Sequence, residues 1–251
     1  MAFTDWTLVN YSAAGTFTGG TDGQQVANAA LGSPLTLQGN DCRWWQNTGP
    51  GGTAEAAQIW YLDTTAHPEF DAIPDTKAIR LEAWVRWNGA ITGAPAAESE
   101  VMLRCKTGAS INTTQGRRNG YSFGIWAAPS GGAKFLWRGG NTAGNIVEVQ
   151  TGSVLPINTW AQIRMEVIPT LNGAVVDRDT IRCYINTGTE ASPVWTLEYE
   201  RVQLDSEATV WIPWGDATYG RVGFGIYTLT GPVGQAVSVY IDSFNAQLKN
   251  K

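Results

Sequence analysis

Two pairs of acidic residues could place two carboxylates on the same face of a strand. Glu98 and Glu100, and likewise Glu198 and Glu200, stand two residues apart, which places both carboxylates of a pair on one face of a β-strand. Retaining glycosidases need a nucleophile and an acid/base carboxyl about 5 Å apart. Glutamates on the solvated face of a strand show the same spacing, and solvation is the ordinary state of this side chain. We expect both pairs to be solvated surface residues, with a divergent glycan hydrolase as the alternative.

The other reactive residues do not complete a catalytic set. His67 is the only histidine, and it lies in a Pro-containing stretch that is typical of a loop. A nucleophilic triad would need it, yet no Gly-x-Ser-x-Gly turn accompanies it. The sequence also lacks a His-Glu-x-x-His motif, a phosphate-binding loop and a dinucleotide fingerprint. We therefore predict no catalytic residues and no enzyme activity.

The three cysteines indicate buried thiols. Cys42, Cys105 and Cys183 are an odd number at wide spacing and include no Cys-x-x-Cys pair, so neither a disulfide framework nor a zinc motif is expected. Cys105 and Cys183 stand among alternating apolar residues, where a free thiol packs like a small apolar side chain. This usage is typical of a protein that folds in a reducing cytoplasm.

Calcium is the one metal ion that the acidic residues of the sequence could bind. Asp71, Asp75 and Asp216 lie in predicted loops, and Asp177 and Asp179 lie in a predicted turn. Calcium prefers such oxygen ligands. These residues form no consensus loop, however, and Asp in a turn commonly bonds the local backbone. We predict no metal and no cofactor, with calcium as the alternative.

Period-two alternation predicts the elements that must position these residues. In the stretch Lys77–Trp87, every second residue from Ile79 onward is apolar. The same pattern recurs in about a dozen short segments, which are separated by Gly-, Asn- and Pro-rich breaks. No change of composition divides the chain. We predict an all-β fold, a two-sheet antiparallel sandwich that forms a single domain over residues 1–251.

Composition and charge exclude two classes of partner. The net charge is -5 and the isoelectric point is about 4.9, whereas a nucleic-acid binder usually carries a basic patch. No apolar run approaches the roughly 18 residues that a membrane span requires. We therefore expect neither a nucleic acid nor a membrane as the partner.

Three groups of segments carry a family resemblance. They are Ile79–Arg86; Asn158–Val167 with Ile181–Asn186; and Gly223–Tyr227 with Val239–Phe244. Their order and pattern resemble the concanavalin A-like jelly-roll sandwiches, which include laminin-G-type modules, legume-type lectins and laminarinase-like glycoside hydrolases. The resemblance implies a concanavalin A-like jelly roll. It does not extend to catalysis, because the hydrolases carry an E-x-D-x-x-E or E-x-D-x-E pattern that this sequence lacks.

The strand faces turned away from the core carry residues that could bind a ligand. A large aromatic side chain that stays in water loses the stabilisation that burial would give, so its exposure needs a reason. An aromatic ring with nearby polar groups can bind a sugar. Loops folded over this face, or a protein interface rich in Trp, Tyr and Arg, are the competing interpretations. The predicted ligand-binding residues are Trp84, Trp126, Tyr184, Arg86, Arg164 and Arg182.

These features together favour a non-catalytic role on a particle. The chain opens with neither a basic segment nor an apolar run, so no secretory signal is expected. The low number of lysines and the reduced cysteines fit a protein that is made in the cytoplasm and released by lysis. We predict a bacteriophage virion protein that serves in capsid structure, decoration or adhesion. Its expected location is the virion, its expected partners are assembly proteins, and a cell-surface glycan is a further candidate. A carbohydrate-binding module with a Trp/Tyr/Arg groove is the first alternative, and the divergent hydrolase is the second.

Overall fold

The computed structural model contains two antiparallel β-sheets. It describes residues 7–10, 17–18, 24–26, 42–47, 56–62, 77–89, 99–105, 120–128, 132–140, 146–172, 175–204, 222–228 and 237–250. All fifteen strands in these ranges belong to one sheet or the other. The predicted all-β, two-sheet antiparallel architecture is confirmed, while the single domain over 1–251 stays a prediction.

The first sheet has eight strands and contains the longest ones. Across the sheet they are β13 (Trp195–Leu204), β12 (Val175–Asn186), β11 (Ala161–Asn172), β6 (Lys77–Gly89), β15 (Val237–Asn250), β4 (Cys42–Asn47) and β3 (Gln24–Val26), and β1 (Thr7–Asn10) also pairs with β15.

The second sheet has seven strands. In order they are β10 (Ile146–Leu155), β9 (Gly132–Gly140), β8 (Gly120–Ala128), β7 (Ser99–Cys105), β14 (Val222–Thr228), β5 (Ala56–Leu62) and β2 (Phe17–Thr18). Successive described strands lie in different sheets after β1, β2, β4, β5, β6, β10, β13 and β14, so neighbours in sequence often lie in different sheets.

Alternating apolar side chains from both sheets form the core. In the stretch predicted from Lys77 to Trp87, the apolar residues Ile79, Leu81 and Val85 are fully buried. They meet aromatic rings of the second sheet such as Phe123 and Trp137. Burial of each large side chain stabilises the fold by about 1.5–3 kcal/mol, which explains why the period of two is so regular on these strands.

Two hydrogen bonds join the sheets inside this core. The hydroxyl of Tyr121 on β8 donates to Oδ2 of Asp179 on β12 at 2.9 Å. The indole nitrogen of Trp87 on β6 donates to the carbonyl oxygen of Leu155 on β10 at 2.8 Å. Both satisfy groups that would be costly to bury without a partner.

Two local predictions need correction or completion here. Asp177 and Asp179 lie within β12 and not in a turn, because β11 continues to pair with this segment: Asp179 lies opposite Pro169. Cys183 is a buried thiol that forms no disulfide, as predicted. The side chains of Cys42 and Cys105 lie outside the described ones.

Candidate functional site

The sandwich separates the six predicted ligand-binding residues onto two opposite surfaces. Five of them lie on the outer face of the first sheet, which we call the first face: Trp84 and Arg86 on β6, Arg164 on β11, and Arg182 and Tyr184 on β12. Trp126 lies on β8 of the second sheet, between the buried Ile125 and the end of the strand. Its surface, the outer face of the second sheet, is the second face. The six residues therefore do not line one groove.

Ion pairs engage two of the three arginines predicted to bind a ligand. Both Nε and Nη2 of Arg164 lie 2.6 Å from Oε1 of Glu82, and Arg182 bonds Glu200 through Nε at 2.5 Å. A third arginine, Arg80, contacts Oε1 of Glu166 at 2.7 Å through the same two nitrogens. Each pair joins residues directly opposite on neighbouring strands, where opposite charges stabilise a sheet.

Arg86 is held between aromatic rings at one end of the first face. Its guanidinium carbon lies 5.9 Å from the ring centre of Trp160 and 5.6 Å from that of Tyr240, within the range of a cation–π contact. Its Nη2 also donates to Oδ1 of Asn158 at 3.2 Å. The predicted arginines are thus engaged by the protein itself, which makes the aromatic and amide groups the better ligand candidates on this face.

The electrostatics of the first face keep Tyr184 protonated. Burial, together with the nearby negative charge of Glu166, raises the pKa of Tyr184 above its usual value of 10. Its hydroxyl lies 3.5 Å from Oε2 of Glu166. Burial and the neighbouring Arg80 lower the pKa of Arg164 despite the attraction of Glu82, whereas the hydrogen bond to Glu200 raises the pKa of Arg182. At neutral pH the Tyr184 hydroxyl is therefore a hydrogen-bond donor and not a base.

The aromatic residue that the sequence analysis missed is Trp195. It begins β13 opposite Asn186, and the guanidinium of Arg164 lies over its ring at 3.7 Å. Alternation within the segment could have assigned it to a face, but only the pairing of β12 with β13 brings it beside Arg164.

Backbone pairing assigns the strand positions around Trp126 on the second sheet to three rows. They are Arg104–Ser122–Arg138, Met102–Gly124–Leu136 and Glu100–Trp126–Lys134, on β7, β8 and β9 in turn. On the other side of β7, the ladder continues with Gly223, Gly225 and Tyr227 of β14.

The described side chains of the second face differ in burial. Ser122, Gly124 and Arg138 are buried, whereas Trp126 and Lys134 are half-buried. Gly124 carries no side chain, and Leu136, its partner in the same row, is also buried. The indole nitrogen of Trp126 is buried, and no described residue accepts a hydrogen bond from it. The second face therefore offers a half-buried aromatic ring next to a half-buried cation.

The acidic pair Glu198 and Glu200 does not share a face. A β-bulge shifts the register of β13 between the partners of Cys183 and Tyr184. Glu200 consequently pairs with Arg182 on the first face, whereas Glu198 accepts a hydrogen bond of 2.7 Å from Ser153 of the other sheet. The expected solvated pair is thus split, and this spacing does not create a glycosidase site.

Several predicted acids and the histidine lie outside the described residues. They are His67, Asp71, Asp75, Glu98 and Asp216. Glu100 occupies its ladder position on β7, opposite Trp126. Within the described part of the chain, no cluster of three metal-ligating residues is present. In the same part, no helix is long and apolar enough to cross a membrane.

The chain has structural relatives but no recognised sequence family. No protein-family model and no curated protein matches it. An endo-β-1,4-glucuronan lyase from the fungus Trichoderma reesei matches with a TM-score of 0.51 and 10% identity, over 99% of this chain and 92% of that one. A seed lectin from Lotus tetragonolobus matches with a TM-score of 0.51 and 12% identity, over 98% and 99% of the two chains.

These relatives establish the fold. The lectin and the lyase share the two-sheet sandwich over almost their whole length, so the predicted concanavalin A-like jelly roll is confirmed. Neither relative connects the chain with a bacteriophage, a virion or a capsid. At such low identity, what the relatives bind or cleave does not transfer with the fold.

The prediction that the protein is not an enzyme is contradicted by the glucuronan lyase. Its sandwich spans the whole of this fold and belongs to an enzyme that cleaves a polysaccharide. The prediction was based on the absence of a glycosidase carboxylate pattern. That pattern serves hydrolysis, and its absence does not bear on elimination chemistry.

Proposed function

We propose that this protein binds an acidic polysaccharide along the second face and cleaves it. The observation that carries the proposal is the pairing of Trp126 on β8 with Lys134 on β9, both half-buried on the outer side of the sheet. A pyranose ring can stack on an indole, while a neighbouring ammonium group attracts a carboxylate.

The half-buried state of Trp126 supports this assignment. Part of its ring remains open to solvent, and an aromatic ring that keeps an exposed part can stack on a sugar. The polysaccharide-cleaving and sugar-binding relatives add support at the level of the fold alone.

A uronate polymer can be cut without water by β-elimination. The proton on C5, which is α to the carboxyl group, is removed. The C4–O bond then breaks, the glycosidic oxygen takes up a proton, and a C4=C5 double bond remains on the new end. The reaction needs a cation near the carboxylate and groups that accept and donate protons.

The row of Trp126 contains residue types that suit these tasks. Lys134 is the cation nearest to Trp126 in the ladder, and Glu100 and Tyr227 are the next two residues on the other side. We assign the carboxylate contact to Lys134 and name Glu100 and Tyr227 as the candidates for proton transfer.

The proposal is tested with glucuronan and alginate as substrates. We expect retardation of the protein in gels that contain these polymers, and a rise in the ultraviolet absorbance of the unsaturated uronate product. Trp126→Ala should weaken binding at least about tenfold, the scale of a buried aromatic contact. Glu100→Gln or Tyr227→Phe should lower turnover and leave binding intact.

The matched control is Ile157→Ala, which removes an exposed apolar side chain from a turn outside both faces. It should behave as the wild type. Binding without product would limit the function to that of a lectin. The absence of both binding and product with every acidic polysaccharide tested would refute the proposal.

The predicted place on a bacteriophage particle is a separate proposal that depends on the sequence alone. It assigns the chain to the virion, with assembly proteins as partners. The test is detection of the chain in purified particles. Its recovery only from soluble host extract would contradict the assignment.

A further inference from the structure

A row of polar and aromatic residues crosses five strands of the first face. Trp195 lies opposite Asn186 on β12, and Gln162 on β11 lies opposite Trp84 on β6. The amide nitrogen of Asn186 donates to Oε1 of Gln162 at 2.9 Å and joins the two halves. Asp242 of β15, opposite Trp84, ends the row. We call these five residues the tryptophan row.

The two tryptophans stand at a distance that suits a short oligosaccharide. Three strand spacings separate β13 from β6, which at roughly 4.8 Å each amounts to about 14 Å. Both indoles are half-buried, so each ring is supported by the sheet and still reaches solvent. A chain of a few pyranoses spans such a distance, with the amides between its ends.

The neighbouring charges compensate one another. Arg164 bonds Glu82, Arg80 bonds Glu166 and Arg182 bonds Glu200 across adjacent strands. Because each of these three arginines has a carboxylate beside it, none of the three pairs favours a charged ligand over a neutral one. This property distinguishes the first face from the second face, where Lys134 serves an acidic polymer in the function proposed above.

Trp195 is held in place before any ligand arrives. Oδ1 of Asn186 accepts hydrogen bonds from the backbone nitrogens of Gly188 and Val194, at 2.8 and 2.9 Å. The connection to β13 is thereby fixed, and Arg164 supports the ring at 3.7 Å. An ordered platform loses little conformational entropy when it binds a ligand.

Gln162 supplies the polar contact at the centre of the row. Its Oε1 accepts from Asn186, and among the described residues none accepts a hydrogen bond from its amide nitrogen in return. Two N–H groups thus remain for sugar hydroxyls. A hydrogen bond from an amide N–H group to a sugar hydroxyl requires no charge on the ligand.

We propose that the tryptophan row is a second glycan-binding surface, one that takes a neutral oligosaccharide. Trp84 and Trp195 stack on pyranose rings at either end, and the amide of Gln162 donates to a hydroxyl between them. The surface lies on the opposite side of the sandwich from the second face. It therefore holds a chain segment without taking part in cleavage.

The test measures retardation of the protein in native gels that contain a soluble neutral polysaccharide: a β-glucan, a mannan, a galactan or an α-glucan. We expect retardation by at least one of them. Trp195→Ala and Gln162→Ala should each weaken it, the tryptophan change by about tenfold or more. Trp195→Phe keeps an aromatic platform and should restore most of the affinity. Ile157→Ala is the matched control, and thermal melting verifies that each variant is folded.

Two outcomes would overturn the proposal. One is the absence of retardation by every neutral polysaccharide, or retardation that persists unchanged in Trp195→Ala and Gln162→Ala. The other is concentration-dependent self-association that these variants abolish, since it would make the row a protein interface. Cleavage of acidic polymers is a separate readout, so failure here is distinguishable from failure of the proposed function.

Discussion

The side chains of the first face show how charge can be accommodated on a strand surface. Glu82 and Glu166 are buried although they point away from the core, and each receives two nitrogens of an arginine on the neighbouring strand. Glu200 forms the same kind of pair in a much more exposed position. The three pairs look alike in a list of contacts, but burial gives them different energetic weight.

This difference predicts the outcome of two matched substitutions. Glu166→Gln leaves Arg80 without the carboxylate that compensates it in a mostly buried site, and should lower the free energy of unfolding by about 2–4 kcal/mol. Glu200→Gln breaks an exposed pair and should cost about 0–1 kcal/mol. Urea denaturation of the two variants provides the comparison. Equal losses would show that the burial of the Glu166 pair has no energetic consequence.

At the scale of the strands, alternation determines most of what can be predicted. Residues such as Ile79 and Leu81 alternate so regularly with charged ones that both the strand and its buried face follow from the pattern. The pattern does not reveal that β13 contains a bulge. No glycine or proline marks the bulge, and it moves Glu198 away from the face of Glu200.

The limits of the site prediction have the same origin. Alternation shows that Trp84 and Trp126 both point away from the core, but not that β6 and β8 belong to different sheets. The chain crosses from one sheet to the other between them, and such long-range pairing has no local signal. Trp195 illustrates the converse case, since it joins Trp84 in one row only through the pairing of four strands.

At the scale of the whole molecule, the two glycan surfaces that we propose lie on opposite outer faces of one sandwich. A single core separates them, and the sheets are joined through apolar packing and through hydrogen bonds, two of which lie inside the core. A polymer bound on the first face would therefore be held while another segment or chain occupies the second. The stability of the core limits both functions.

The bond between Tyr121 and Asp179 allows this dependence to be tested. Tyr121→Phe keeps the ring in the core and removes the 2.9 Å hydrogen bond to a carboxylate that is itself buried. The free energy of unfolding should fall by about 1–3 kcal/mol. At about 2–4 °C per kcal/mol for a chain of this size, the melting temperature should fall by several degrees. Tyr184→Phe is the matched control, because its hydroxyl lies on an outer face and makes only a 3.5 Å contact. If both variants melt together with the wild type, this inter-sheet bond does not stabilise the sandwich.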